Sequence, residues 1–87
     1  MEDAININET MQRYQNLSSG SGVVAYEIGE ESIRVQFKNK PHIYTYTYAS
    51  AGQTNIEQMK ILAINGRGLN RYIDKYVKKK YASKSRL

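Results

Sequence analysis

The chain has 87 residues, a formal net charge of +5, one histidine and no cysteine. This length predicts one domain with a small core, and the absence of cysteine excludes disulfides, thiolate metal sites and a thiol nucleophile. No stretch approaches the roughly 18 apolar residues of a membrane span, and the acidic start predicts no signal peptide, so we expect a soluble, cytoplasmic protein without metal or other cofactor.

The first 22 residues predict an N-terminal arm and a linker. Ile7, Met11 and Tyr14 recur at helical spacing, which favours a short helix, while the many asparagine and glutamine residues equally favour a mobile or loosely docked arm. The Ser/Gly run at 18–22 is typical of flexible coil and marks the boundary of the domain.

A hydrophobic period of two predicts three β-strands in the next part of the chain. The alternating segments are 23–28, 32–38 and 43–48. The short segments between them contain glycine, glutamate, asparagine and proline, which predict turns. Short turns join antiparallel neighbours, so we expect a three-stranded meander.

The last third of the chain predicts two helices. Thr54 followed three residues later by Glu57 is a capping box, after which apolar residues recur at helical spacing until Gly66. A second helix is predicted over about 69–79. Its apolar arc consists of Leu69, Tyr72, Ile73, Tyr76 and Val77.

Together these elements predict an α+β domain over 23–80. It is a three-stranded antiparallel β-meander packed against two C-terminal helices, preceded by a flexible or partly helical N-terminal arm over 1–22 and followed by a basic tail over 81–87. Three strands with one apolar face cannot stand alone in water, so the helices are needed as cover.

The distribution of charge is the main functional indication. Residues 1–31 carry six acids against Arg13, a net charge of −5, whereas residues 66–87 carry eight bases against Asp74, a net charge of +7. This asymmetry predicts an anionic partner, RNA or another polyanion, although a solvated helix face would have the same composition. The candidate nucleic-acid-binding residues are Arg34, Lys38, Arg67, Arg71, Lys75, Lys78 and Lys79.

The tyrosines at period two, Tyr44, Tyr46 and Tyr48, allow two interpretations. An open row could stack unpaired bases, as sheet-based RNA modules do. Alternatively, the row lines the face beneath the helices with its hydroxyls at the rim, and this is what the alternation favours.

Three smaller features also bear on function. The glycines that flank Arg67 could form an anion cradle of backbone amides, or they could simply end one helix and start the next. Asp74 lies three and four residues from Arg71 and Lys78, which predicts a modest ion-pair partner. His42 lies in a turn without an evident carboxylate partner, so we expect no enzyme activity.

A set of residues spread over 21–77 matches a known pattern. They are Tyr26, Val35, Phe37, a YxY motif at Tyr44 and Tyr46 or at Tyr46 and Tyr48, then Gly66, Asn70 and Ile73. The pattern resembles the KTSC domain, a small bacterial domain named for the C-terminus of some lysyl-tRNA synthetases, which also occurs as a free-standing protein. The resemblance implies the same small fold and a suspected role in RNA binding.

The sequence therefore predicts a non-catalytic module that binds nucleic acid, RNA in the first place, through the basic face of its C-terminal helix. The alternative is a protein-interaction module, in which an edge of the meander pairs with another strand or the basic helix meets an acidic protein. A helix resting on an anionic membrane is a weaker hypothesis, because the apolar arc is needed for the core.

Overall fold

The computed structural model describes residues 11–17 and 20–87, which form one antiparallel sheet covered by helices. The strands are β1 (Gln12–Arg13), β2 (Val23–Ile28), β3 (Ser32–Phe37), β4 (His42–Thr47) and β5 (Ser83–Arg86), and they lie side by side in chain order. The helices are α1 (Tyr48–Ala51), α2 (Gln53–Asn65) and α3 (Leu69–Tyr72), which continues into a π-helical turn, Ile73–Val77. We call the continuous segment 69–77 the last helix. The α+β class is confirmed.

Strands β2, β3 and β4 form the meander that the period-two pattern predicts. Val35 lies opposite both Tyr26 and Tyr44, and Ile33 lies opposite Tyr46, so core-facing side chains stack in rows across the strands. The helices cover this face. Fully buried residues that meet beneath the helices are Ile33, Val35, Ile56, Met59, Leu69 and Val77.

The basic tail predicted over 81–87 is instead part of the sheet. β5 pairs with β4, with Lys84 opposite Tyr44, and the Ala82 N–H donates to the Thr45 carbonyl at 2.7 Å. All four residues of β5 are exposed, so the strand has no apolar face that would produce a period-two pattern. Backbone hydrogen bonds hold it at the edge of the sheet.

The described part of the N-terminal arm is docked on the domain. β1 pairs with β2 at the other edge of the sheet, in place of the short helix that was one of the two expectations. Tyr14 is buried and its hydroxyl accepts a 3.3 Å hydrogen bond from the Leu69 N–H, while the Leu17 N–H donates to the Gly66 carbonyl at 2.7 Å. The remainder of the predicted arm helix, including Ile7, lies outside the described residues.

The predicted capping box at Thr54 and Glu57 is wrong. The helix α2 begins at Gln53, and Gly52 precedes it without a side-chain cap, so Thr54 already lies inside the first turn. The capping box is found one helix earlier, where the hydroxyls of Thr47 and Ser50 each accept a hydrogen bond from the backbone N–H of the other residue, at 3.0 and 3.1 Å. It ends β4 at Thr47, so Tyr48 begins α1 and does not continue the strand.

Candidate nucleic-acid interface

The last helix docks on the sheet along a single row of side chains. Leu69, Ile73 and Val77 lie four residues apart and are at most 2% exposed. In an α-helix, residues four apart advance by about 40° around the axis, which would progressively rotate the row away from the core. The π-helical turn Ile73–Val77 holds more residues per turn, so it counteracts this rotation and keeps Val77 buried.

Exposed basic residues lie on this helix and directly before and after it, and we call them the basic stripe. The stripe consists of Arg67, Arg71, Lys75, Lys78 and Lys79, and every member is exposed. None of them takes part in a salt bridge within the part of the chain that the structure describes. The positive charge predicted for this end of the chain is therefore presented to solvent.

The predicted ion pairs of Asp74 with Arg71 and Lys78 are wrong. Asp74 is exposed, and its Oδ2 accepts only a long hydrogen bond of 3.4 Å from the Asn70 side-chain amide. Asp74 lies inside the π-helical turn that ends just before Lys78, so their spacing of four no longer gives the α-helical geometry that brings such charges together. Asp74 therefore forms no ion pair with Arg71 or Lys78.

One end of the stripe borders a surface concavity of about 710 Å³. Arg67, Arg71 and Asp74 line it from the helix side, and the 20–21 segment lines it from the other. The Lys38 N–H donates to the Gly22 carbonyl at 2.7 Å, which places the β3–β4 turn next to this segment. Lys38 is exposed, and its backbone is tied to the segment before β2.

Arg34 lies apart from the basic stripe. Its neighbours Ile33 and Val35 point into the core, so Arg34 is on the opposite face of the sheet, away from the helices. There its guanidinium Nη1 donates to Glu27 Oε1 at 2.9 Å. A cation that is already paired across two strands contributes less to a phosphate-binding surface.

The loop between α2 and the last helix does not form an anion cradle. Gly66 adopts a left-handed conformation with φ of 73°, which ends α2. The N–H groups of Gly66 and Arg67 donate back to the Leu62 carbonyl, at 3.0 and 3.4 Å, and the Leu69 N–H donates to the Tyr14 hydroxyl. Because these three amides are occupied, the loop offers no run of successive free amides of the kind that cradles an anion.

The tyrosine row of the third predicted strand does not form an open platform. Tyr46 is 1% exposed, and this burial raises the pKa of its hydroxyl. Tyr44 is half-buried between Phe37 and Tyr81, with ring centroids 5.5 and 5.0 Å away. Both rings belong to the edge-to-face packing that fastens β4 and the segment before β5 to the core.

Tyr48 belongs to a polar cluster at the start of α1. Its hydroxyl donates to Glu57 Oε2 at 2.6 Å, and Lys60 Nζ lies 2.9 Å from the same oxygen. The hydrogen bond to Glu57 raises the pKa of Tyr48 to about 12 and holds the pKa of Glu57 below its usual value. Its hydroxyl is thus engaged in holding α1 against α2.

Tyr76 was predicted for the apolar arc, but the structure exposes 47% of it. Its ring packs against Tyr72 with centroids 4.6 Å apart, and Lys75 Nζ lies 5.3 Å from the Tyr76 centroid. The expectation failed because α-helical spacing was applied to a π-helical turn, which a periodicity of 3.6 does not reveal. An aromatic ring therefore lies beside the basic stripe.

The edges of the predicted meander are both paired. β1 covers the edge of β2, and β5 covers the edge of β4. Strand addition by another protein would need an outer edge of this sheet. These edges are β1, which is two residues long, and β5, which is short and carries Lys84 and Arg86.

The chain matches no family model, no curated protein and no solved structure. Among the residues that the structure describes, no helix is long and apolar enough to cross a membrane, and no group of three His, Asp or Glu side chains could hold a metal ion.

Proposed function

We propose that this protein is a non-catalytic nucleic-acid-binding module and that the basic stripe contacts the phosphates. The observation that carries the proposal is the exposure of five cations on and beside one helix, without carboxylate partners in the described part of the chain. Lysine and arginine side chains that neutralise phosphates release condensed counterions, which favours binding. Of the eight basic residues of 66–87, five form the stripe, and Lys84 and Arg86 lie on β5.

RNA is the expected ligand because of the resemblance to the KTSC domain, which we propose as the family of this chain. Phosphate contacts by themselves carry no sequence information and act on RNA and DNA alike. A module of this kind binds weakly and largely without regard to sequence.

The proposal is tested by fluorescence anisotropy with labelled RNA oligonucleotides of mixed sequence at low salt, followed by a salt titration. Engagement of about four phosphates on a single strand gives a slope of log K against log salt near −3. The double substitution Arg71→Gln with Lys75→Gln removes two contacts, so we expect weaker binding and a slope closer to zero by about 1.4.

A matched control separates the contribution of the stripe to binding from the effect of net charge. Gln53→Glu with Gln58→Glu changes two exposed residues of α2 and, like the test variant, lowers the net charge from +5 to +3. We expect this control to retain most of the affinity and the slope. Absence of binding by the unchanged protein at low salt, or equal losses in both variants, would contradict the proposal.

The rival function, a protein-interaction module, makes a different prediction in the same assay series. Strand addition depends on backbone hydrogen bonds and side-chain pockets, so a complex formed in that way should survive salt concentrations that dissociate a phosphate-bound complex. In the described sheet the edges available for this mode are the two short strands β1 and β5.

A further inference from the structure

Tyr76 is the tyrosine most open to a ligand. All eight tyrosines lie within the described residues, and seven of them are buried or half-buried. Tyr76 is 47% exposed and lies on the last helix, next to the basic stripe. An aromatic ring at this position is not needed to close the core, because Leu69, Ile73 and Val77 fill that role.

The Tyr76 ring is supported from within the protein. Its neighbour Tyr72 lies 4.6 Å away between centroids, with the ring planes inclined at 43°. The Tyr72 hydroxyl donates to Asn55 Oδ1 at 2.7 Å, and the Asn55 amide donates to the Ala51 carbonyl at 2.8 Å. A ring held against a fixed neighbour loses less conformational freedom when a ligand packs on it.

The ammonium group of Lys75 lies against this ring. Lys75 Nζ lies 5.3 Å from the Tyr76 centroid, and exposed Lys79 and Lys80 follow three and four residues later in the chain. A nucleotide combines a flat base with a negatively charged phosphate, so its two parts match an aromatic ring and an adjacent ammonium group. The lysine stem is flexible, and its charged end can move from the ring to a phosphate.

We infer that Tyr76 stacks on an unpaired base, so that the ligand of the basic stripe is single-stranded nucleic acid. Bases within a duplex present their faces to each other, and only a base in a single strand or loop offers a free face to a side chain. The inference rests on the proposed function and narrows it to one ligand class. It also assigns Tyr76 a role separate from that of the lysine and arginine residues of the stripe, which bind the phosphates of both single-stranded and duplex nucleic acid.

The test compares three probes: a short oligouridylate, a blunt RNA duplex of the same length and inorganic polyphosphate. Tyr76→Ala should weaken binding of the oligouridylate by roughly 5- to 150-fold and leave binding of the duplex and of polyphosphate unchanged within about twofold. Tyr76→Phe keeps the ring and should retain the affinity. Ile64→Ala, which truncates an apolar residue of α2 that is 60% exposed, should change none of the three affinities.

The outcomes distinguish failure of the stacking role from failure of the proposed function. If Tyr76→Ala binds all three probes as the unchanged protein does, the stacking role is wrong and phosphate binding by the stripe stands. If the unchanged protein binds none of the polyanions, the proposed function fails and the stacking role fails with it. An unchanged circular dichroism spectrum of Tyr76→Ala shows that the variant is folded, and a selective loss of oligouridylate binding then supports stacking.

Discussion

The tyrosines of β4 and of the last helix differ in how much of the side chain is exposed to solvent. Tyr46 faces the core from the middle of the sheet and is 1% exposed, whereas Tyr76 lies on the surface of the helix and is 47% exposed. The difference arises from the elements and not from the side chains. A strand alternates its two faces strictly, while a helix presents a residue according to how many residues each turn contains.

This contrast shows where stability and binding are separated in the molecule. Tyr44 and Tyr46 are in contact with Tyr81 and so join β4 to the C-terminal segment. Tyr76 contacts Tyr72 and Lys75, both of which belong to the last helix itself. Substitutions in β4 should therefore act on folding, and those around Tyr76 should act on the surface.

The largest expected effect is the loss of stability caused by Tyr46→Ala. Removal of a fully buried aromatic ring leaves a cavity beneath the helices, so we expect the free energy of unfolding to fall by about 3 to 5 kcal/mol. Tyr76→Ala is the matched control and should cost less than about 1 kcal/mol, because much of its ring already contacts water. Urea denaturation followed by circular dichroism measures both. Equal losses would contradict the division between the two regions.

A smaller effect is expected for Tyr81→Ala at the edge of the sheet. The Tyr81 ring lies 5.0 Å from Tyr44 and 6.3 Å from Tyr46, and β5 begins two residues later. Its removal should cost about 1 to 2 kcal/mol and release β5, which has no buried residue of its own. Hydrogen exchange should show lost protection in 83–86 with β2 and β3 unchanged. Full protection of β5 in the variant would show that backbone pairing alone holds it.

The strands and helices differ in how far the sequence could predict them. The strands β2 to β4 and the two covering helices follow from side-chain periodicity, since each has one apolar face. β5 could not be found in this way, because Ser83–Arg86 is exposed on both faces and its pairing with β4 depends on contacts distant in sequence. β1 is two residues long, too short for any period to appear.

The sequence predicts the exposed charges of the candidate site but not the exposure of the Tyr76 ring. Exposure of the basic stripe follows from the amphipathic pattern of the last helix, because charged side chains fall opposite Leu69 and Ile73. The exposure of Tyr76 depends on the π-helical turn, for which the sequence carries no periodic indication. The sequence alone could not distinguish Arg34 from the unpaired basic residues, because its ion pair with Glu27 depends on the register between β2 and β3.

The hydroxyl of Tyr72 gives a prediction of intermediate size within the last helix. Tyr72→Phe removes the 2.7 Å hydrogen bond to Asn55 and keeps the ring beneath Tyr76. We expect a loss of about 1 kcal/mol in the free energy of unfolding, typical of one neutral hydrogen bond. Binding of single-stranded RNA should decrease only slightly, because the supporting ring remains. Denaturation and anisotropy on the same variant check both parts, and an effect on binding as large as that of Tyr76→Ala would mean that the Tyr72 hydroxyl itself contacts the ligand.

The smallest expected effect is the pH dependence contributed by Tyr48. Because its pKa rises from 10.0 to about 12 in the folded protein, the folded state holds this proton more tightly than the unfolded chain does. The stabilisation is complete below pH 10 and is lost as the pH rises from 10 to about 12. Tyr48→Phe should make the decline in stability over that interval shallower, although burial of Tyr46 and Tyr72 raises their pKa values and keeps part of the decline. Urea denaturation at a series of alkaline pH values measures the slope, and an identical slope in the variant would show that the Tyr48–Glu57 hydrogen bond does not contribute.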